Sequence, residues 1–348
     1  MSPYILTFLL LGLGLGTTLT FSSSHWLLAW MGLEINTLAI LPLMAQHHHP
    51  RAVEATTKYF LTQATAAAML LFASTTNAWM TGQWNIQEMT HPLPTTFIIT
   101  ALALKIGLAP MHAWLPDILQ GLDLTTGLIL SSWQKLAPLA LLLQISPPSS
   151  SVLIILGISS TLVGGWGGLN QTQLRKVLAY SSIAHLGWMV IILQFSPTLT
   201  LLTLVTYLIM TASTFLVLKL NKATNINSLA ISWAKAPVIT ALTPLVLLSL
   251  GGLPPLTGFM PKWLILQELT KQNLPLIATL VALTALLSLY FYLRLSYALT
   301  LTVAPNNTPG MAPWRHCSTQ LTLPLATTTC FSLLLLPITP AMMALISS

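Results

Sequence analysis

Charged residues are scarce in this sequence. Of its 348 residues, 13 are Lys or Arg and 6 are Asp or Glu, so charged side chains make up 5% of the chain. Soluble domains carry about 25%, and a chain of this length needs many charged groups to cover its surface. Because 54% of the residues are hydrophobic, the composition excludes a water-soluble enzyme.

Cysteines and basic runs are also scarce. The two cysteines, Cys317 and Cys330, are too few for an iron–sulfur cluster and do not have zinc-motif spacing. We therefore expect no redox centre and no metal in this chain. The run of histidines at 47–49 is expected to be solvated. The net charge of +7 comes without a basic run, which indicates cations gathered on one side of a membrane and no nucleic-acid partner.

The apolar segments are long and continuous. A membrane β-barrel would alternate apolar and polar residues, whereas spanning helices satisfy their own backbone hydrogen bonds inside lipid. Residues 1–21 lack the basic start and the cleavage site of a signal peptide, so they are interpreted as the first span. The sequence predicts an all-α, polytopic membrane protein.

At about 20 apolar residues per span, we expect eleven helices and no separate soluble domain. They are placed near 3–21, 24–44, 57–79, 94–120, 125–145, 150–168, 175–195, 198–220, 236–270, 274–299 and 322–345. The longest connection is predicted at 302–320, where three prolines break any helix.

The positions of the cations support eleven spans, since loops on one face of a membrane are enriched in Lys and Arg. Only Lys271 falls on the face opposite the N-terminus. The cations placed on the N-terminal side are Arg51, Lys58, Arg175, Lys176, Lys219, Lys222, Lys235 and Arg315. The N-terminus is therefore expected to face a bacterial cytoplasm or a mitochondrial matrix.

The chain contains an internal repeat. Residues 107–116, GLAPMHAWLP, are echoed at 252–261 as GLPPLTGFMP, in the fourth and ninth predicted helices. An odd number of spans between the copies predicts two inverted halves, 1–145 and 146–300, followed by a loop and last helix at 301–348. Pro110 and Pro255 each remove a helical hydrogen bond, so both helices are predicted to be broken; two proline kinks without a transport role are the alternative.

Three ionisable residues are expected near the middle of the membrane. Glu34, Lys105 and Lys135 each lie ten residues beyond Ser24, Thr95 and Thr125, near the edges of predicted spans, which is about 15 Å deep. An isolated charge at that depth costs roughly 3 kcal/mol. If Glu34 approaches Lys105, the carboxylate holds the ammonium charged, and separating the two releases a proton. The alternative is a static ion pair that only fixes two helices together.

Lys262 follows Pro261 and is expected in the first turn of a new half-helix. The positive end of that half-helix would disfavour a charge on Lys262, whereas Lys105 lies at the favourable negative end of its own helix. Glu268, on the next turns, is the nearest acid in sequence. His112, in the first break, and His185, in the seventh helix, are candidate proton carriers, and packing histidines are an equal alternative.

These residues carry a resemblance to a known family. Lys105 precedes the 107–117 segment, Lys135 follows it, and residues 175–187 read RKVLAYSSIAHLG. Together with HWLLAWMGLEIN at 25–36, the pattern resembles the antiporter-like membrane subunits of respiratory complex I over essentially the whole chain.

The resemblance implies a proton-pumping subunit of NADH:ubiquinone oxidoreductase in the mitochondrial inner membrane, with the matrix on the N-terminal side. It implies that Lys105 pairs with Glu34, that Lys135 is the central relay and that Lys262 is the exit-side lysine. It also implies partner membrane-arm subunits and surrounding lipids, and no cofactor in this chain. NADH, FMN, iron–sulfur clusters and ubiquinone would belong to the wider complex. One departure is that Ala179 stands where the second half would hold an acid equivalent to Glu34.

Three alternatives to this interpretation remain. A stand-alone sodium/proton antiporter would use the same repeat and the same lysines. A structural spacer would have lysines that do not conduct protons. A haem protein would need two facing histidines, for which His112 and His185 offer at best one pair.

Overall fold

A computed structural model describes residues 2–46, 49–89, 91–145, 151–234, 236–301 and 322–347. These residues form α-helices and short 3₁₀ turns, with no β-strand among them. His47, His48, Lys235, Arg315, Cys317 and the predicted loop at 302–320 lie outside the described residues.

The described helices of the first half are α1 Pro3–Ser22, α2 Trp26–Met44, α3 Pro50–Thr81, α4 Pro92–Ile106, α5 Trp114–Gly121, α6 Leu124–Ser131 and α7 Trp133–Gln144. Those that follow are α8 Ser151–Gly168, α9 Leu174–Ile192, α10 Pro197–Asn221, α11 Ile226–Ala230, α12 Pro237–Gly251, α13 Phe259–Lys271, α14 Pro275–Thr300, α15 Leu323–Leu334 and α16 Thr339–Ser347.

Proline marks where many of these helices begin. The first position of a helix needs no backbone N–H donor, and the fixed φ of proline suits the helix. Six helices start at a proline: Pro3, Pro50, Pro92, Pro197, Pro237 and Pro275. Proline thus begins many helices and lies in both broken segments, whereas Pro42, Pro138 and Pro244 lie inside continuous helices.

Both predicted helix breaks are confirmed. The fourth predicted helix is divided into α4 and α5 by residues 107–113, which contain Pro110. The ninth is divided into α12 and α13 by residues 252–258, which contain Pro255. Each break follows a glycine with a left-handed backbone, Gly107 or Gly252, and glycine adopts that conformation without steric cost.

One predicted span agrees with the structure apart from a single residue, and one is bent. The fifth lies over Leu124–Gln144, with Ser132 as the one irregular residue between α6 and α7. The last predicted span bends by 69° between α15 and α16, around Pro337, which removes a backbone donor.

Two further differences concern helix ends and connections. The third helix begins at Pro50 and not near residue 57, because His49 caps it by accepting a 3.2 Å hydrogen bond from the Arg51 backbone. Between the eighth and ninth predicted spans, α11 and a 3₁₀ turn at Ile231–Ala234 replace the expected loop.

The chain divides into two compact units, and the first is Met1–Leu156. In it α1 packs closely on α2, since a Cβ on Gly16 would come within 2.8 Å of the Gly32 carbonyl oxygen. Helix α3 packs on α4 and α5, and α7 packs on α4, α1 and α2. The helices that carry Glu34, Lys105 and Lys135 are thus held in one packed group.

The second unit is Gly157–Ser348. Its core includes a buried apolar cluster contributed by α9, α10, α13 and α14. The members of this cluster are Trp188, Ile191, Ile192, Leu199, Ile265, Leu269, Ala278 and Val281. This core fixes α13, and with it Lys262, against its neighbours.

Among the residues that the structure describes, six helical segments are long and apolar enough to cross a membrane, and the bent α15–α16 pair would make a seventh. The apolar helices α4 and α12 are shorter because each is the first half of a broken helix. The eleven crossings, like the two inverted halves, stay a prediction.

Candidate functional site

The first break ends α4 immediately beyond Lys105. The backbone N–H groups of Gly107 and Leu108 both donate to the Ala103 carbonyl at 2.9 Å, which is the bonding of a glycine-terminated helix. Trp114, the first residue of α5, donates its indole N–H to the Leu104 carbonyl at 3.1 Å. The carbonyls at the end of α4 therefore face partners across the break, and Lys105 lies in the last turn.

Lys105 and Glu34 form an ion pair within the first unit. Lys105 Nζ lies 3.7 Å from Glu34 Oε1, and the two side chains are 2% and 25% exposed. Neither of these two atoms has a hydrogen-bond partner among the described residues, so the attraction is electrostatic. The other carboxylate oxygen, Oε2, accepts a 3.2 Å hydrogen bond from Thr37. The negative end of α4 adds to the attraction for a charge on Lys105.

Tyr59 is a neighbour of this pair that the sequence analysis did not identify. It is 2% exposed, it interacts electrostatically with Glu34, and its ring meets Trp114 edge to face at 5.9 Å. Its place in α3, one residue after Lys58, gives no sign in the sequence that it lies beside Glu34.

An exposed charged group lies at the start of α3. Lys58 Nζ lies 2.8 Å from Glu54 and 3.8 Å from Asp117, which is in the first turn of α5. The Lys58 ammonium holds the pKa of the Glu54 carboxyl below its usual value. Asp117 thereby ties the second half of the broken helix to α3.

Lys135 lies in α7, just beyond the interruption at Ser132, and is 3% exposed. Its neighbour Gln134 donates a 3.2 Å hydrogen bond to the backbone carbonyl of Asn36, two residues after Glu34. The helix that carries Lys135 is therefore fastened to the helix that carries Glu34.

The second break repeats the backbone pattern of the first. Gly252 and Leu253 both donate to the Leu248 carbonyl, at 3.1 and 3.3 Å. Lys262, in the first turns of α13, reaches back across the break, and its Nζ donates a 2.7 Å hydrogen bond to the Gly251 carbonyl. The ammonium of Lys262 is thus held by the last carbonyl of α12.

This contact corrects one expectation about Lys262, that of an unfavourable field at its ammonium. The Lys262 ammonium lies at the negative end of α12, where the field favours its charge. The sequence had predicted an unfavourable field from the start of α13. The nearest acid in sequence, Glu268, lies 3.7 Å from Lys271, and within the described ranges Lys262 forms no ion pair. The sequence placed the ammonium at the start of α13, next to its own backbone. The four-carbon side chain instead extends across the break to the end of α12.

The two candidate histidines lie in different units. His112 is in the first break, with Nδ1 3.2 Å from the Pro110 carbonyl oxygen. His185 is in α9, with its ring centroid 5.7 Å from that of Tyr207. Across the residues that the structure describes, no group of three or more metal-ligating side chains is present.

Two family models match the chain. The model for the membrane segment of the NADH:quinone oxidoreductase/Mrp antiporter family covers residues 23–288, and the model for the C-terminus of NADH dehydrogenase subunit 2 covers residues 289–343. Together they account for most of the length.

Curated relatives are similar over the whole length. The NADH-ubiquinone oxidoreductase chain 2 of Tetraodon nigroviridis is 75% identical over 345 residues, with 99% of each chain covered. That of Oncorhynchus mykiss is 70% identical over 348 residues, with both chains fully covered. That of Danio rerio is 64% identical over 346 residues, with 99% of each covered.

Solved structures share the fold. A chain of respiratory complex I from Thermus thermophilus with bound aureothin superimposes with a TM-score of 0.87 at 28% identity, covering 99% of this chain and 80% of that one. A chain of the Mrp complex from a Dietzia species gives a TM-score of 0.80 at 16% identity, covering 97% and 76%. The second likeness concerns the fold alone.

Proposed function

We propose that buried Glu and Lys side chains carry protons through this chain, which belongs to the NADH:quinone oxidoreductase/Mrp antiporter family and, within it, to the NADH-ubiquinone oxidoreductase chain 2 proteins. The chain is a proton-translocating membrane-arm subunit of NADH:quinone oxidoreductase. It is part of an enzyme complex and works together with other membrane-arm subunits in the mitochondrial inner membrane. The stand-alone antiporter is therefore set aside.

The observation that carries the proposal is the ion pair of Glu34 with Lys105. A charged amine that is 2% exposed and 3.7 Å from a carboxylate, at the end of a broken helix, is costly unless it has a function or a partner. A change that moves the carboxylate away weakens the hold on the ammonium, and the proton passes on. Neutralising Glu34 by protonation has the same effect on Lys105.

The remaining roles follow the order of the residues in the chain. Lys105 hands its proton to Lys135, the central relay, which is packed in the same unit. Lys262, hydrogen-bonded to the end of α12, is the exit-side lysine. His112 and His185 are auxiliary proton carriers next to the first break and in α9.

The surroundings of the chain complete the proposal. The N-terminus faces the matrix, as the positions of Arg51, Lys58 and the other cations favour. NADH oxidation and ubiquinone reduction, with FMN and the iron–sulfur clusters, take place in other subunits. A conformational or electrostatic change reaches this chain through its membrane-arm neighbours.

Replacing Lys135 by Met in the assembled complex tests the relay. Met keeps the apolar stem and removes the titratable amine, so we expect NADH-driven proton pumping to fall while the assembled amount stays the same. Lys271→Met is the matched control, since the Lys271 side chain is 63% exposed. Unchanged pumping rate and stoichiometry in Lys135→Met would favour the structural spacer.

A further inference from the structure

The two broken helices differ at one position of the repeat. The sixth residue of the first copy, GLAPMHAWLP, is His112, and the sixth residue of the second copy, GLPPLTGFMP, is Thr257. The Nδ1 atom of His112 lies 3.2 Å from the Pro110 carbonyl oxygen, within its own break. Thr257 instead bonds to a helix outside the broken pair, and that helix comes from the end of the chain.

Thr257 ties the second break to α15. Its Oγ1 atom donates a 2.5 Å hydrogen bond to the backbone carbonyl of Ser332. Thr257 is 2% exposed and Ser332 is 0% exposed, so bulk water does not compete for this bond. A buried hydroxyl that lost its acceptor would carry the cost of an unsatisfied polar group. The bond therefore favours one position of the break relative to α15.

The bend of the last predicted span makes the acceptor available. Ser332 lies in the last turn of α15, which ends at Leu334. The last four carbonyls of a helix have no partner inside that helix, and the chain bends by 69° before α16. Because α15 packs on α10 and α12, it lies next to the break that follows α12.

Thr257 also fixes the start of α13. Its carbonyl accepts the backbone N–H of Met260, in the first turn of α13, at 3.3 Å, and the N–H groups of a first turn need acceptors from outside the helix. The next residue, Gly258, packs so closely on α12 that an added Cβ would overlap the Ser249 carbonyl oxygen. The side chain of Thr257 thus bonds to α15, and its backbone bonds to α13.

The position of the Lys262 ammonium depends on the start of α13. Lys262 follows Met260 by two residues, and its Nζ donates a 2.7 Å hydrogen bond to the Gly251 carbonyl. A Cβ added at Gly252 would lie 3.0 Å from the same Nζ and 3.1 Å from the Gly258 carbonyl oxygen, so these groups are closely packed. Since N–H···O bonds rarely exceed about 3.2 Å, a shift of α13 by roughly half an ångström is enough to weaken the contact.

We propose that Thr257 is a positioning residue for Lys262 and that α15 holds the second break through it. The bond from Thr257 to Ser332 keeps the first turn of α13 in place, and this turn keeps the Lys262 ammonium at the end of α12. The inference rests on the proposed exit-side role of Lys262. It makes α15 part of the Lys262 site, although α15 lies beyond residue 288, where the antiporter-family match ends.

The experiment measures NADH-driven proton pumping by the assembled complex in vesicles for Thr257→Val, Thr257→Ser and Lys262→Met. Valine keeps the shape of threonine and removes the hydroxyl, whereas serine keeps the hydroxyl. We expect Thr257→Val to slow pumping up to about fivefold, which corresponds to the roughly 1 kcal/mol net value of one hydrogen bond. Thr257→Ser is expected to pump like the wild type, and Lys262→Met is expected to lose at least as much as Thr257→Val.

Two exposed threonines provide matched controls. Thr270 in α13 and Thr327 in α15 each donate their hydroxyl to a carbonyl of their own helix, so Thr270→Val and Thr327→Val are expected to pump normally. The assembled amount and its thermal midpoint are expected to stay at the wild-type level in every variant. Because Thr257 acts through Lys262, adding Thr257→Val to Lys262→Met is expected to cause no further loss, whereas a general structural defect would add to it.

The outcomes separate this inference from the function on which it rests. If Lys262→Met slows pumping while Thr257→Val and a second hydroxyl-free variant, Thr257→Ala, pump like the wild type, the positioning role is wrong and the role of Lys262 stands. If Lys262→Met itself pumps like the wild type, the proposed role of the lysine fails.

Assembly decides between positioning and folding. If both hydroxyl-free variants fail to assemble, or if Thr257→Ser does not restore pumping, the hydroxyl does not act by positioning Lys262 and the inference is overturned. Slower pumping by assembled Thr257→Val, recovery in Thr257→Ser and two active controls would support it.

Discussion

Removing the charge of Glu34 is the change whose effect on the interaction energy follows most directly from the structure. Two unit charges 3.7 Å apart attract by about 4 kcal/mol at an effective dielectric constant of about 20. Because the Glu34 side chain is 25% exposed, solvent screens part of this attraction, and about 3 kcal/mol is a reasonable value. If the uptake of a proton by Lys105 limits turnover, loss of that attraction corresponds to a roughly hundredfold fall in rate.

The assay is NADH-driven proton pumping by the assembled complex in vesicles. We expect Glu34→Gln, which keeps the shape and removes the charge, to slow pumping strongly. We expect Lys105→Met to slow it as much, and the double variant to be no worse than either single one, because the residues act as a pair. Glu88→Gln, at an exposed loop position, is the control.

Two results would refute this reasoning. Wild-type pumping in Glu34→Gln would mean that the carboxylate does not control Lys105. Strictly additive losses in the double variant would mean that the two residues act independently, in spite of the 3.7 Å distance between their charged atoms.

Two further predictions concern the second break and the surface of the first unit. Gly252→Ala places a Cβ 2.9 Å from Lys262 Cδ at a backbone φ of +80°, so pumping is expected to fall. Gly82→Ala is the control: its φ is +74° with no atom within 4 Å, so it has the same backbone cost of about 1–2 kcal/mol and is expected to pump normally. Equal pumping by both variants would contradict a role for the position of Lys262. Because Lys58 lowers the pKa of Glu54, the stability gained from this contact is present above the unfolded-state pKa and is lost as the pH falls through the lower folded-state pKa. Hydrogen exchange in the first turns of α3 is therefore expected to rise at acid pH in the wild type, and an identical pH profile in Glu54→Gln would contradict that account.

The breaks at Pro110 and Pro255 could be predicted from the sequence because their cause is local. A proline inside an apolar helix removes a donor, and a glycine three residues earlier allows the left-handed turn that ends the helix. The irregular residue Ser132 was not predicted, and its hydroxyl bond to Leu128 is of the same kind as those of Thr17 and Thr211 inside continuous helices.

The sequence also identified the lysines by their type and their depth, because a charge in an apolar segment stands out against its surroundings. It did not identify the partner of Lys262 or the buried Tyr59. A tyrosine in an apolar helix is ambiguous until the neighbouring helices are in place, since its ring packs like any other and only its hydroxyl needs a specific partner.

The amino-acid sequence by itself determined that the chain lies in a membrane, where two of its helices break and which of its side chains carry charge into the apolar segments. Those properties depend on composition and on bonds within a single helix. The tertiary structure decided that Glu34 meets Lys105 and that Lys262 turns to the end of α12. Each of these contacts joins two different helices, so only the packing of the helices brings the atoms within reach.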